Sequence, residues 1–360
     1  MSSEVHHLVR NASDEAKFDL DPLQIFGFHL DGFQVEAIDA LNHGESVVVS
    51  APTGSGKTLI GEYAMHRAIK HGQKVFYTTP LKALSNQKLR DFRVQFGSKN
   101  VGLMTGDLSV NRDASILVMT TEIFRNMLYA ELDQRDDPLA DVEAVVLDEC
   151  HYMNDTQRGT VWEESIIHCP TSVQIVALSA TVANAGQLTD WINHVHGPTK
   201  LVISDHRPVP LKYSFCSAKG MHPLLNDKGT GLHPNCKVWR APKGHKRKGR
   251  MSKPPQPEAP QIRFVISRMA EREMLPAIYF IFSRRGCDKA VKDLANECLV
   301  TPDQQRLIYD RLSTFSKENP EAIRDDAHSE ALLRGIASHH AGVLPAWKEL
   351  IEELFQQGLL

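Results

Sequence analysis

Two carboxylates, Asp148 and Glu149, follow directly on the apolar run Ala144-Val145-Val146-Leu147. Well upstream, a lysine and a threonine close the segment Ala51-Pro52-Thr53-Gly54-Ser55-Gly56-Lys57-Thr58. These residue types suit one reaction, the attack of water on a magnesium-bound nucleoside triphosphate. Glycines at 54 and 56 let the backbone curl so that several N–H groups face phosphate oxygens, and a helix opening after them adds the positive end of its dipole. Thr53 and Ser55 complete that cradle. Lys57 would reach the β and γ phosphates, and the Thr58 hydroxyl would hold Mg2+. Of the acids, Asp148 is assigned to the metal's water shell and Glu149 to orienting and deprotonating the attacking water. One departure from the strict phosphate-loop pattern is Ala51, which stands where the first glycine would be.

The hydrophobic pattern supplies elements that could bring these residues together. Short apolar runs at 47–49, 75–79, 101–104, 116–119, 144–147, 173–178 and 201–203 read as strands. Amphipathic stretches at 59–69, 81–96, 121–130, 161–168 and 185–194 read as helices between them. Such alternation predicts an α/β fold with a parallel sheet covered by helices on both faces, whose ligands gather at the C-terminal ends of the strands. Thr79-Pro80-Leu81-Lys82, Thr105-Gly106-Asp107, Thr120-Thr121-Glu122, Asp148-Glu149-Cys150-His151 and Ser179-Ala180-Thr181 each follow a strand. They are expected to share one rim with Lys57. Cys150 and His151 alone cannot make a metal site. His151 is instead expected to couple, bonding to a second domain or to Ser179-Ala180-Thr181. Ahead of the phosphate loop, Phe33, Ala37, Ile38 and Leu41 have helical spacing before Gly44. On that helix Gln34 is either a solvated residue or a reader of the adenine edge, with Phe26 or Phe28 stacked on the ring. Spacing does not choose between the two.

A chain of 360 residues has room for about two domains. Its net charge of −3 hides a basic stretch, 237–253, with eight Lys/Arg and no acid. A nucleic-acid partner therefore has to be argued from local patches. Six cysteines without a C-x-x-C pair indicate neither a disulfide framework nor a zinc knuckle and fit a reducing compartment, read as the cytoplasm. Residues 1–17 lack the apolar core of a secretory signal, and no apolar run reaches the ~18 residues of a membrane span.

Taken in order, the motifs resemble those of superfamily two helicases, and more narrowly the superkiller-like branch of DExH RNA helicases. The resemblance is carried by Phe33-Gln34, the segments 51–58, 78–88, 105–107, 120–127, 148–155 and 179–181, and His206-Arg207-Pro208-Val209-Pro210-Leu211. Ala51 is common in that superfamily. The resemblance implies a RecA-like first domain at 21–213 after a mobile lead-in, ATP and Mg2+ as cofactors, and Ser179 and Thr181 as coupling residues. Thr79, Pro80, Lys82, Thr105, Gly106, Thr121 and Glu122 would hold RNA sugar and phosphate without reading bases. RNA would be the partner, with RNA-degradation or ribosome-associated proteins. A DNA-repair helicase of the same superfamily and a non-catalytic ATP- or RNA-binding module are the competing readings.

Residues 214–261 are rich in Gly, Pro and Lys and read as an insertion without a core of its own. The basic run 243–250 is either auxiliary phosphate contact or a solvated loop. Cys216, His222, His233, Cys236 and His245 are too irregularly spaced to predict zinc. From 262 a second, partial RecA-like domain is expected. It would hold a helix at 263–270, a buried strand at 277–282, and then Ser283 and Arg284, which by resemblance would touch RNA phosphate. His339-His340-Ala341-Gly342 resembles another family element. Pro345 starts a helix with Trp347, Leu350, Ile351, Leu354 and Phe355 on one face. The family's next strand, Gly-rich motif and arginine finger do not follow before Leu360. The expectation is therefore a last helix without the strand it packs upon, and ATP binding with weak hydrolysis.

Overall fold

The computed structural model describes residues 20–106, 108–131, 139–218, 220–236, 259–322 and 326–360. They fall into two units that divide between Pro210 and Leu211.

In the first unit α1 (Pro22–Phe26) and α2 (Gly32–Asn42) precede β1 (Ser46–Ser50), α3 (Thr58–His71), β2 (Lys74–Thr79) and α4 (Lys82–Phe96). Next come β3 (Val101–Met104), β4 (Ser109–Val110), β5 (Ile116–Thr120), α5 (Thr121–Glu131) and β6 (Val142–Leu147). A 3-10 turn (Cys150–Asn154), α6 (Gly159–His168), β7 (Gln174–Ser179), α7 (Ala185–Val195) and β8 (Thr199–Ile203) complete it. The eight strands form one sheet in the order β4-β3-β5-β2-β6-β7-β1-β8. Only the short β4 runs antiparallel.

Alternation along each strand explains the continuous apolar runs. Val47, Val49 and Val146 join Ile60, Met65 and Phe92 of α3 and α4 in one core. Val48, Val145 and Leu147 join Phe124, Trp162 and Ile192 of α5, α6 and α7 in another. Each face is thus covered, and both side-chain sets must be apolar. Away from the rim, the buried Arg67 guanidinium bonds Glu143, Gln174 and the Leu41 carbonyl, which pins the starts of β6 and β7 to α2 and α3.

At Gly102 of β3 an added Cβ would lie 2.1 Å from the Asn111 carbonyl oxygen, because β4 folds back across that strand. Gly102→Ala is therefore expected to cost about 1–3 kcal/mol of unfolding free energy, the usual cost of overpacking. A urea denaturation series checks this, and an unchanged midpoint would contradict it.

In the second unit part of the stretch read as an insertion without a core forms an antiparallel ribbon, β9 (Ser214–Ser217) with β10 (Gly220–Pro223). Backbone pairing there needs no large core. Met221 is buried, and its carbonyl accepts from Arg272. The basic run and the Pro-rich segment, with His245, lie outside the described residues, as does Asp107. No metal-binding group of three or more His, Cys, Asp or Glu occurs among the described residues.

The helices α8 (Ile262–Ala270), α9 (Arg284–Asp293), α10 (Pro302–Glu318), α11 (Asp326–Leu332) and α12 (Pro345–Gln356) follow. Residues 277–282 correct the expectation of a buried strand. They make no ladder among the described residues, and Ile278, Phe280 and Phe282 are exposed. An apolar run becomes a buried strand only where neighbouring strands take up its N–H and C=O groups. The last helix is likewise not left without a surface. Trp347 of α12 meets Phe315 of α10 edge-on at 5.9 Å, and Arg311 makes two bonds of 2.8 and 2.7 Å to Glu353.

Candidate nucleotide and nucleic-acid site

The phosphate loop leaves β1 with the Ala51 N–H on the Ser179 carbonyl. Gly54 and Gly56 take φ of +83° and +82°, the left-handed region that a side chain would strain. At Gly56 space is short as well, since a Cβ would come within 2.8 Å of Gln34 Nε2. The Lys57 ammonium arcs back to donate to the Ala51 and Pro52 carbonyls at 2.8 and 2.9 Å. Ser55 Oγ is buried without a partner, an orphan that a phosphate oxygen would satisfy.

The acid pair sits at the end of β6, pinned by the Asp148 N–H on the Thr78 carbonyl. Asp148 Oδ1 accepts from the Glu149 N–H at 2.9 Å, and its Oδ2 from the Tyr77 hydroxyl at 2.6 Å. Thr58 is near enough to the Tyr77 hydroxyl to act on it. Burial, and then Asp148, push the Tyr77 phenol well above its ordinary pKa, so it stays a donor. Lys88 of α4 donates to Thr58 Oγ1 at 3.3 Å with its ammonium over the Tyr77 ring.

Glu149 has φ +52°, uncommon for a residue with a side chain. Its Oε2 lies 3.2 Å from His151 Nδ1, and that nitrogen lies 3.5 Å from the Ala180 N–H. The histidine thus stands between the acid pair and the Ser179-Ala180-Thr181 turn. Ser179 is buried and bonds the Ala180 carbonyl, while Thr181 is exposed.

Burial lowers the Lys57 pKa, Glu149 and Asp148 oppose that, and Arg207 adds to the lowering. Both carboxylates therefore act on Lys57, and Lys88 and Tyr77 link Thr58 to Asp148. Thr58 and Asp148 are hard oxygen donors of the kind that hold Mg2+ when phosphates and water fill the remaining positions. The donor set fits that ion.

Cys150, between the acids and His151, is buried, and burial pushes its thiol up to about 12. It is no nucleophile. In the folded protein iodoacetamide is expected to label the exposed Cys298 and spare Cys150. Rapid labelling at Cys150, read by peptide mass spectrometry, would contradict the burial argument.

Gln34 is buried, and both ends of its amide are engaged. Oε1 accepts from the Asp31 N–H as part of a capping box, and Nε2 donates to the Gly56 carbonyl at 3.1 Å. It braces the phosphate loop. Phe26 packs beside Leu59 and Tyr63, whereas Phe28 is exposed.

The loops assigned to nucleic acid are brought together with one change of role. Thr79 and Thr121 are buried, and their hydroxyls are spent within the loops, Thr79 on Ser85 and the Leu81 carbonyl, Thr121 on the Thr79 carbonyl. A hydroxyl whose proton goes to a backbone carbonyl has none left to give a phosphate oxygen, so these two shape the rim. Thr105 closes its own turn onto Leu108. The exposed Lys82 lies across from Gly106, its Nζ 3.6 Å from where a Cβ there would be. In the second unit Ser283 caps α9 by accepting from the Gly286 N–H, and Arg284 begins that helix, exposed.

Four contributors carry no signal of their own in the sequence: Tyr77, Lys88, Arg207, and Arg158, whose guanidinium pairs with Glu122 and donates to the Pro80 carbonyl at 2.7 Å. Tyr77 looked like any buried strand residue. Lys88 and Arg207 lay inside matched segments without an assigned role. Arg158 had no local signal.

Residues 31–188 match the DEAD/DEAH box helicase family. The DExH-box ATP-dependent RNA helicase DExH15, chloroplastic, of Arabidopsis thaliana is 44% identical over 98% of this chain and 33% of its own length. The probable helicase HelY of Mycobacterium tuberculosis is 41% identical over 92% of this chain and 38% of its own. The ATP-dependent RNA helicase mtr4 of Schizosaccharomyces pombe is 37% identical over 96% and 32%. The chain thus spans about a third of the length of the curated relatives it matches. The matched stretch takes in the phosphate loop, the acid pair and the rim loops, so residues 31–188 form a DEAD/DEAH box helicase domain.

Proposed function

We propose that this chain is the ATP-binding part of a DExH-type RNA helicase of the superkiller-like branch, which couples ATP hydrolysis to movement along RNA and unwinding. The observation that supports the reading is the link from Thr58 through Lys88 and Tyr77 to Asp148, with the charges of Glu149 and Asp148 acting on Lys57. Thr53, Gly54, Ser55 and Gly56 would cradle the phosphates, and Thr58 and Asp148 would hold Mg2+. When bound, ATP with its metal supplies the free energy of the cycle. Glu149 takes the proton from the attacking water, and His151 carries the state of the acid pair to the Ser179-Ala180-Thr181 turn. Lys82, the backbone around Pro80, Thr105 and Gly106, and separately Ser283 and Arg284, would contact the RNA backbone.

RNA is preferred over DNA because relatives such as DExH15 and mtr4 are named RNA helicases. RNA-degradation proteins are the partner class we propose, and a reducing compartment such as the cytoplasm the location. No helix among the described residues is long and apolar enough to cross a membrane. Anisotropy of labelled single-stranded RNA and DNA of equal length, with a non-hydrolysable ATP analogue present, tests the reading. Tighter binding of RNA is expected, and equal or tighter binding of DNA would overturn the RNA assignment.

A further inference from the structure

Glu122 stands among the residues expected to face a phosphate backbone, yet a carboxylate there would repel phosphate. The structure gives it another partner. The Arg158 guanidinium pairs with the Glu122 carboxylate at the start of α5, and the same nitrogen donates to the Pro80 carbonyl at 2.7 Å. Those two groups belong to two different rim loops, which Thr121 also links through the Thr79 carbonyl.

Arg158 is itself firmly placed. Asp155 Oδ1 accepts from the N–H groups of Gln157 and Arg158 at 2.8 and 3.0 Å. At Gly159 a Cβ would lie 2.2 Å from the Met153 carbonyl oxygen, so the chain turns there in close contact with the 3-10 turn. That turn starts at Cys150, directly after the acid pair. A short braced strap therefore runs from Asp148-Glu149 to the guanidinium that holds both loops.

We propose that Arg158 is a positioning residue. It ties the Pro80 and Glu122 loops to the segment that carries the hydrolytic acids, so that the loops hold the geometry in which RNA binds and shifts at the acid pair reach them. The proposal rests on the nucleic-acid reading above. The alternative for an arginine at such a rim is direct phosphate contact, and the two differ in sign. If Arg158 contacts phosphate directly, Glu122 competes for it, and Glu122→Gln should tighten binding. If Arg158 positions the loops, Glu122→Gln should weaken binding, because the bridge needs both ends.

The test is anisotropy of a labelled oligouridine on the full 360-residue chain, as wild type, Arg158→Gln, Glu122→Gln and the double variant, over a range of salt. Each single change is expected to weaken binding about five- to thirty-fold. The double variant should be no worse than the weaker single, since both break one bridge. The slope of log affinity against log salt should not change, whereas loss of one direct phosphate contact would lower it by about 0.7 for a single strand. Affinity of Arg158→Gln for a fluorescent ADP should equal wild type, which shows that the fold is intact. Should that variant fail to fold, the sign of the Glu122→Gln effect decides alone. Unchanged binding in both variants, tighter binding in Glu122→Gln, or a reduced salt slope in Arg158→Gln would overturn the proposal. If the wild-type chain bound no RNA at all, the nucleic-acid reading itself would fall, and the proposal with it.

Discussion

Glu149→Gln is expected to slow ATP hydrolysis by about 10²- to 10⁴-fold, the usual contribution of a positioned general base, while nucleotide stays bound. Glutamine keeps the shape of the side chain and a hydrogen-bonding oxygen, but it cannot take a proton. The change should spare the fold, since Glu149 is partly exposed and its side-chain contact is with a neighbouring histidine. Affinity should hold or rise. Glu149 is the first of the two carboxylates whose charge acts on Lys57, and removing it leaves the ammonium with less competition for phosphate. Single-turnover hydrolysis beside equilibrium binding of a fluorescent nucleotide separates the two effects. Unchanged turnover would remove Glu149 as the base.

Lys57→Ala is expected to act on binding. The lysine already reaches across the loop to the Ala51 and Pro52 carbonyls, so it is held over the place where phosphates would lie. A hydrogen bond to a charged group contributes about 1.5–3 kcal/mol, which corresponds to roughly ten- to a hundred-fold in nucleotide affinity. The loop should keep its shape, because Gly54, Gly56 and the Gln34 brace do not depend on the ammonium. Fluorescent-nucleotide titration reads the loss, and a variant that bound as tightly as wild type would contradict the assignment.

The parts of this fold that were legible are those whose signal is local. Strands buried on both faces must be apolar at every position, so β1, β2, β5, β6 and β7 stood out as unbroken runs, and the rim motifs followed from where those runs stop. β4 is two residues long and carries no period. α10 did announce itself: Thr301 and Gln304 form a capping box, Pro302 follows the cap, and Ile308, Leu312 and Phe315 share a face. Residues 277–282 misled in the opposite direction, because a run of apolar types cannot say whether partner strands lie beside it.

The site divides in the same way. Lys57, Thr58, Asp148 and Glu149 were legible because residue type and position after a strand are enough to name their chemistry. Tyr77 and Arg158 were not, because each acts through a partner remote in sequence, Tyr77 on Asp148 and Arg158 on Pro80 and Glu122. The roles of the Thr79 and Thr121 hydroxyls also depended on which way they faced.

The central claim is that the phosphate loop and the acid pair serve one ligand. Amide hydrogen exchange with and without ATP and Mg2+ tests it most directly, because exchange reports protection segment by segment. Protection is predicted to rise together in peptides covering 51–58 and 148–151, at the same nucleotide concentration. Protection of one segment without the other would mean that they do not share a triphosphate.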